Sequence, residues 1–101
     1  MPSSPRFLEQ TKAFKQAFKR ECKGLYRQVL KQEFEPIIRA LVTDTPLDEK
    51  YCDHPLSGTF KGFRLCHIRP NLVMMYLKID DKIRIVRLVR LGDHQKVLKI
   101  E

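Results

Sequence analysis

Arg64-Leu65-Cys66-His67-Ile68-Arg69-Pro70-Asn71-Leu72-Val73-Met74-Met75-Tyr76-Leu77-Lys78-Ile79 is where the fold becomes legible. Arg64 to Arg69 alternates, with Leu65, His67 and Arg69 on one face and Arg64, Cys66 and Ile68 on the other, the two-residue period of a strand. Pro70-Asn71 predicts a turn, and Leu72 to Ile79 a second strand with Val73, Met75, Leu77 and Ile79 on its core side. Asp80-Asp81-Lys82 turns the chain into Ile83 to Leu91, a third strand rich in branched residues. Gly92 ends it, leaving Asp93 to Ile100 for a final short turn of helix or strand. Strands joined this tightly form an antiparallel meander.

Toward the N-terminus the period changes. Pro46 to Gly62, with Pro55 and Gly58, lacks periodicity and reads as a long ordered loop, a feature more often functional than not in a compact domain. Phe14, Phe18, Cys22 and Leu25 fall at three- and four-residue spacings, with Lys12, Lys15, Lys19, Arg20 and Lys23 off that stripe. This predicts an amphipathic helix capped by Thr11 and running toward Leu30, with Gly24 as its weak point. Phe34, Ile37, Ile38, Leu41 and Val42 predict a second helix with Pro36 in its first turn, where a missing N–H is no loss. Arg6 to Glu9 predicts an edge strand. The expected fold is α+β: two N-terminal helices packed on one face of a small antiparallel sheet, as a single domain over residues 1–101.

Composition narrows the class. With 43% hydrophobic and 32% charged residues, neither a disordered nor a membrane composition fits. The longest apolar run, Leu72 to Leu77, is too short to span a bilayer. Met1 to Arg6 carries no apolar segment and predicts no secretory signal. Cys22, Cys52 and Cys66 make an odd count without metal-knuckle spacing, as expected of reduced thiols in a cytoplasmic domain. The net charge of +8 attracts polyanions such as RNA, DNA or an acidic protein, although solubility alone accounts for it equally well.

His54, His67 and His94 occupy the loop, a strand and the segment after the last strand, and a meander can bring such positions together. Around them come Lys61, Arg64, Arg69, Arg87 and Arg90. Imidazole beside fixed cations suits phosphodiester transfer in RNA: one neutral His takes the 2′-hydroxyl proton, a protonated one supplies the leaving oxygen, and cations stabilise the dianionic transition state. No metal or other cofactor is required, because the nucleophile belongs to the substrate. The plainer alternatives are that each histidine is a surface residue, that Arg87 and Arg90 are the solvated edge of a strand, and that Met74-Met75 and Phe14, Phe18 and Phe34 are packing. The histidine spacings carry no metal-ligand signature. There is no glycine-rich phosphate loop, no nucleophile motif and no aromatic RNA-stacking signature.

The stretch Lys50-Tyr51-Cys52-Asp53-His54-Pro55-Leu56-Ser57-Gly58-Thr59-Phe60-Lys61-Gly62-Phe63-Arg64, continued by Cys66-His67-Ile68-Arg69-Pro70-Asn71, Tyr76 and Arg90-Leu91-Gly92-Asp93-His94, resembles the YafQ-type toxins, a branch of the RelE superfamily of toxin–antitoxin modules. The resemblance implies a RelE-like fold and an mRNA endonuclease acting on the ribosome, held inactive by a cognate acidic antitoxin of RelB/DinJ type. It implies His94 as proton donor; the base is then His54 or His67, with His54 preferred because its loop can adapt to substrate. Lys61, Arg64, Arg69 and Arg90 are the expected RNA-phosphate contacts. Leu65 and His67 share a strand face, which places the site on the sheet face opposite the helices. Three positions depart from the family pattern: Leu65 replaces an acidic residue, Asn71 an aspartate and Leu98 an aromatic. The interval from Asp81 to His94 is a residue or two longer than usual, enough to shift the hairpin register. Two alternatives follow, a RelE-like domain that binds antitoxin or ribosome without cleaving, and a gyrase inhibitor of the ParE branch, which would need no histidine trio.

Overall fold

In a computed structural model, which describes residues 4–100, the chain runs β1 (Phe7–Gln10), α1 (Lys12–Glu21), α2 (Arg27–Val42), β2 (His54–Pro55), β3 (Arg64–Arg69), β4 (Leu72–Asp80), β5 (Arg84–Gly92) and α3 (His94–Val97). Met1 to Ser3, part of the stretch predicted to carry no signal, and Glu101 lie outside the described residues. The five strands form one sheet in the order β1-β5-β4-β3-β2. The meander β3-β4-β5 is antiparallel as expected, and β2 adds to it antiparallel. The edge strand near the N-terminus is present too, but it pairs parallel with β5, Phe7 opposite Ile85. Parallel pairing follows from the intervening path: two helices and a long loop carry the chain across the sheet before it returns.

Thr11 caps α1 as its sequence predicts, its hydroxyl accepting from the Phe14 N–H. The helix stops at Glu21, however, and Leu25, placed by its spacing on the apolar stripe, lies 89% exposed in the turn beyond. The second helix is longer than expected. It begins at Arg27, so Pro36 stands inside it, not in its first turn. Pro36 removes one N–H to the Gln32 carbonyl, and both residues are on the exposed side of α2, where water can take that carbonyl. The inner sides meet through Phe14, Phe18 and Phe34, whose rings are 4.5–6.2 Å apart.

Both faces of the sheet are covered. Under the helices lie Cys66, Ile68, Leu72, Met74, Tyr76, Val86, Leu88 and Leu91. Val73 and Met75, expected to face the main core, are buried on the opposite face instead, with Leu65 and Val97, beneath Leu56, Phe60, Phe63 and Leu98. Leu77 and Ile79, expected beside them, are half-buried. A strand buried on both faces shows a continuous apolar run, and that pattern cannot say which face is which. Burial pushes the Cys66 thiol up to about 12, with the Asp53 charge adding to it; all three cysteines are free thiols.

Two local devices shape the hairpins. The β4–β5 register slips between Met75, opposite Arg90, and Tyr76, opposite Leu88. Val89 is thereby the extra residue of a β-bulge, and Leu88 and Leu91 both reach the helix-side core. At the far end, buried Arg6 donates to Asp44 at 2.7 Å and to the carbonyls of Ile79 and Ile85 at 3.2 Å. It also pairs with Asp80 at 2.7 Å. The Arg6 hydrogen bond, reinforced by Lys78, holds the Asp44 carboxyl well below the usual carboxylate range. No helix among the described residues is long and apolar enough to cross a membrane.

Candidate active site

The three histidines converge. The His67 ring centroid is 5.6 Å from that of His54 and 5.1 Å from that of His94. Each is placed by a different piece of backbone. His67 is on β3 opposite Val73 of β4, and Val73 is in turn opposite Gly92 of β5. The chain leaves β5 at Gly92, which has φ +151°, a conformation that favours glycine. Asp93 then caps α3 by accepting from the Lys96 N–H at 2.8 Å, and His94 opens the helix. His54 belongs to β2 and sits opposite Leu65, two residues before His67 on the same face.

Beneath the imidazoles is the cluster of Leu65, Val73, Met75 and Val97, so the trio lies on the face opposite α1 and α2. Leu65 is 2% exposed, and Leu98 is half-buried against the same cluster. Where the resemblance leads one to expect a carboxylate and an aromatic ring, this chain places hydrocarbon that packs. Asn71 is exposed in the β3–β4 turn.

The electrostatics differentiate the rings. Burial, and then the neighbouring His94 and His54, lower the pKa of His67, so it stays neutral through a wider pH range than a free imidazole. The Nδ1 of exposed His54 is 2.7 Å from the Cys52 carbonyl oxygen. A carbonyl only accepts, so Nδ1 carries the proton and donates, leaving Nε2 with the free lone pair when the ring is neutral. Cys52 itself has φ +48°; this left-handed residue turns its carbonyl toward the ring.

The four expected phosphate contacts separate in space. Arg90 is on the histidine face. One Nη1 donates to the carbonyls of Val97 and Lys99 at 2.9 and 2.8 Å, and the guanidinium stands 5.5 Å over the Phe60 ring. Lys61 is exposed after the turn Gly58–Phe60. Arg64 points to the helix side, not into the histidine cluster. It donates to Asp53 and to the Tyr76 hydroxyl at 3.3 Å, and that hydroxyl donates to Asp53 at 2.6 Å. Burial opposes its charge, but Asp53 and Tyr76 more than restore it. The strand alternation already put Arg64 on that face. Arg69 shares the His67 face by simple alternation, yet the register slips between His67 and Arg69, and Arg69 pairs with Glu33 of α2. It lines, with His67, Tyr51 and Cys52, a groove of about 250 Å³. A larger groove of about 500 Å³ opens at His94, between Tyr26, Asn71, Asp93 and Lys96. Sequence reasoning missed Cys52 and Phe60, because neither a left-handed cysteine nor a ring under a guanidinium leaves a local signal. Among the described residues no group of three His, Cys, Asp or Glu side chains is arranged to hold a metal ion.

A sequence profile of the family described as "Bacterial toxin of type II toxin-antitoxin system, YafQ" matches residues 6–99. The chain belongs to the YafQ toxin family. Over 59 residues, 57% of the chain, it is 39% identical to the mRNA interferase toxin YafQ of Escherichia coli K12, and the match spans 61% of that relative; the chain thus aligns with about three fifths of the curated YafQ sequence. Solved structures match over more of the chain. The metal-bound toxin from Helicobacter pylori superposes with a TM-score of 0.75 at 35% identity, over 91% of this chain and 98% of that one. The E. coli DinJ-YafQ toxin-antitoxin complex gives 0.72 at 30% identity, over 89% and 93%. The RelE-like fold expected from the YafQ-type resemblance is the one the chain adopts.

Proposed function

We propose that this YafQ-family chain is the toxin of a type II toxin–antitoxin module: a metal-independent endoribonuclease that cleaves mRNA on the ribosome and stops translation. The observation that carries this reading is the convergence of His54, His67 and His94. The mRNA interferase relative at 39% identity supports it.

The flanking rings take the two proton transfers. His54 Nε2, its lone pair exposed because Nδ1 is bound to the Cys52 carbonyl, accepts the 2′-hydroxyl proton. The 2′ oxygen bonds to phosphorus, and the P–O5′ bond breaks. Protonated His94 gives its proton to the departing O5′, yielding a 2′,3′-cyclic phosphate and a 5′-hydroxyl end. In-line displacement needs base and acid on opposite sides of phosphorus, and His67 between the two leaves that room. Neutral His67, with Arg90 of the same sheet face and the exposed Lys61, holds the phosphate oxygens. Arg64 and Arg69, engaged with Asp53 and Glu33, support the loop and strand that carry the rings.

The partner is an acidic antitoxin, in keeping with the net charge of +8 and with the DinJ-YafQ complex, and the compartment is the cytoplasm. A domain that binds without cleaving is the second reading, favoured by the packing of Leu65 and Leu98 where other groups were expected. Expression without antitoxin discriminates. Cleavage predicts arrested growth and new mRNA 5′ ends by primer extension, both abolished in His94→Ala. Arrest without new ends supports the binding-only domain.

A further inference from the structure

We propose that the groove between α1 and α3 holds the sugar–phosphate backbone of a single RNA strand as it leaves the histidine cluster; this rests on the ribonuclease reading above. The groove has a volume of about 380 Å³, and its polar wall is Gln16 and Arg20 of α1 with Arg90, Lys96 and Lys99. Its lining contains four cations and no carboxylate.

Three features point to this ligand. First, Lys96 lines this groove and also the one that opens at His94, so a strand passing His94 is handed directly to the cationic wall. Second, α1 continues the charge: Lys12, Lys15 and Lys19 are exposed and, among the described residues, form no ion pair. They recur at three- and four-residue spacing, on neighbouring positions of one helix surface. A line of like charges without counterions suits a ligand with one negative charge per repeat. Third, the groove offers no exposed large apolar side chain. Its floor is Ala17 and Leu91, both buried, whereas protein partners dock through apolar anchors with a polar rim. Arg90 already bonds two carbonyls and acts here as fixed charge. A single strand is required because in-line attack needs a 2′-hydroxyl free to rotate, and base-paired RNA withholds it.

The test uses full-length protein carrying His94→Gln, to stop turnover, and a fluorescent 12-nucleotide single-stranded RNA. Adding Arg20→Gln and Lys96→Gln should weaken binding roughly tenfold and reduce the slope of log K against log salt by about 1.4, two phosphates at about 0.7 each. A charge-matched control, Lys31→Gln with Lys82→Gln, should change affinity by less than twofold. Equal losses in both pairs overturn the groove, since attraction would then follow net charge. So does unchanged RNA binding accompanied by weakened binding of polyglutamate, which would assign the surface to an acidic protein. Neither result touches the ribonuclease reading, which stands or falls on the mRNA 5′ ends.

Discussion

His67 and Gly92 face the same residue, Val73, from opposite sides of β4. The row runs straight across three strands, and His94 follows Gly92 by one capping residue. The contact between the two rings, 5.1 Å between centroids, is therefore a property of strand register and does not depend on a flexible loop. A shift of β5 by one residue would turn the row to the other face.

Gly92→Ala tests that register. A Cβ at Gly92 would meet the Lys96 stem at 3.6 Å, an ordinary contact, but φ +151° is strained for any L side chain. The expected cost is about 1–3 kcal/mol, read as a lowered denaturation midpoint. RNA cleavage should fall further than that loss implies, because relieving the strain swings the start of α3. A variant of unchanged stability and activity would show that the backbone conformation at Gly92 is immaterial.

Arg90 provides a second test, since it ties down the end of α3 through the Val97 and Lys99 carbonyls. Arg90→Lys keeps the charge but loses the planar guanidinium whose Nη1 reaches both carbonyls while its plane stands over the Phe60 ring. The expected outcome is a fall in kcat of roughly tenfold or more with KM changed less, since a misplaced His94 slows the chemistry. A variant that raises KM alone would make Arg90 a simple phosphate contact.

How much of this was readable beforehand depends on which signal was local. The β3-β4-β5 meander, the Thr11 cap and the sharing of one strand face by Leu65 and His67 followed from two-residue alternation and capping chemistry, whereas the placing of that face away from the helices came with the resemblance. The convergence of the histidines came from the resemblance, since 13 and 27 residues of separation mean nothing without a register. What failed was long-range. Met74 and Met75 are the same residue type on opposite faces of β4, so the face under the helices was misassigned until both covers were known. Arg69 leaves its alternation through an irregularity that no residue type announces. Arg64 is drawn to Asp53, whose carboxylate lies eleven positions away. Leu25 fits the helical stripe, but α1 ends four residues short of it.

Acidification should weaken the fold through His67. Burial and the two neighbouring rings lower its pKa in the folded protein, so the folded state binds this proton less readily than the unfolded chain, where a histidine titrates near 6.5. The contribution is nil well above that value. Stability falls as pH drops below it and levels off once pH passes the folded pKa. Urea denaturation between about pH 8 and pH 5 should show the decline in the native chain and a shallower one in His67→Gln. Parallel curves would mean that His67 is not the group responsible.

Cys52 decides which nitrogen His54 presents. With φ +48° it holds a left-handed conformation, which costs an ordinary L residue about 1–2 kcal/mol and a β-branched one more. Cys52→Gly removes that cost, so stability should hold or rise slightly; the carbonyl remains, and cleavage should stay within a few-fold of the native rate. Cys52→Val keeps a side chain of similar bulk but resists the conformation. Its loop should relax, the 2.7 Å contact to Nδ1 should lengthen, and the rate should drop by at least tenfold at neutral pH. Nitrogen-15 chemical shifts of the His54 ring give an independent readout, with protonated Nδ1 in the native chain and a mixture of tautomers in Cys52→Val. If Cys52→Val cleaves as fast as Cys52→Gly and its ring shifts are unchanged, the Cys52 carbonyl does not orient the base.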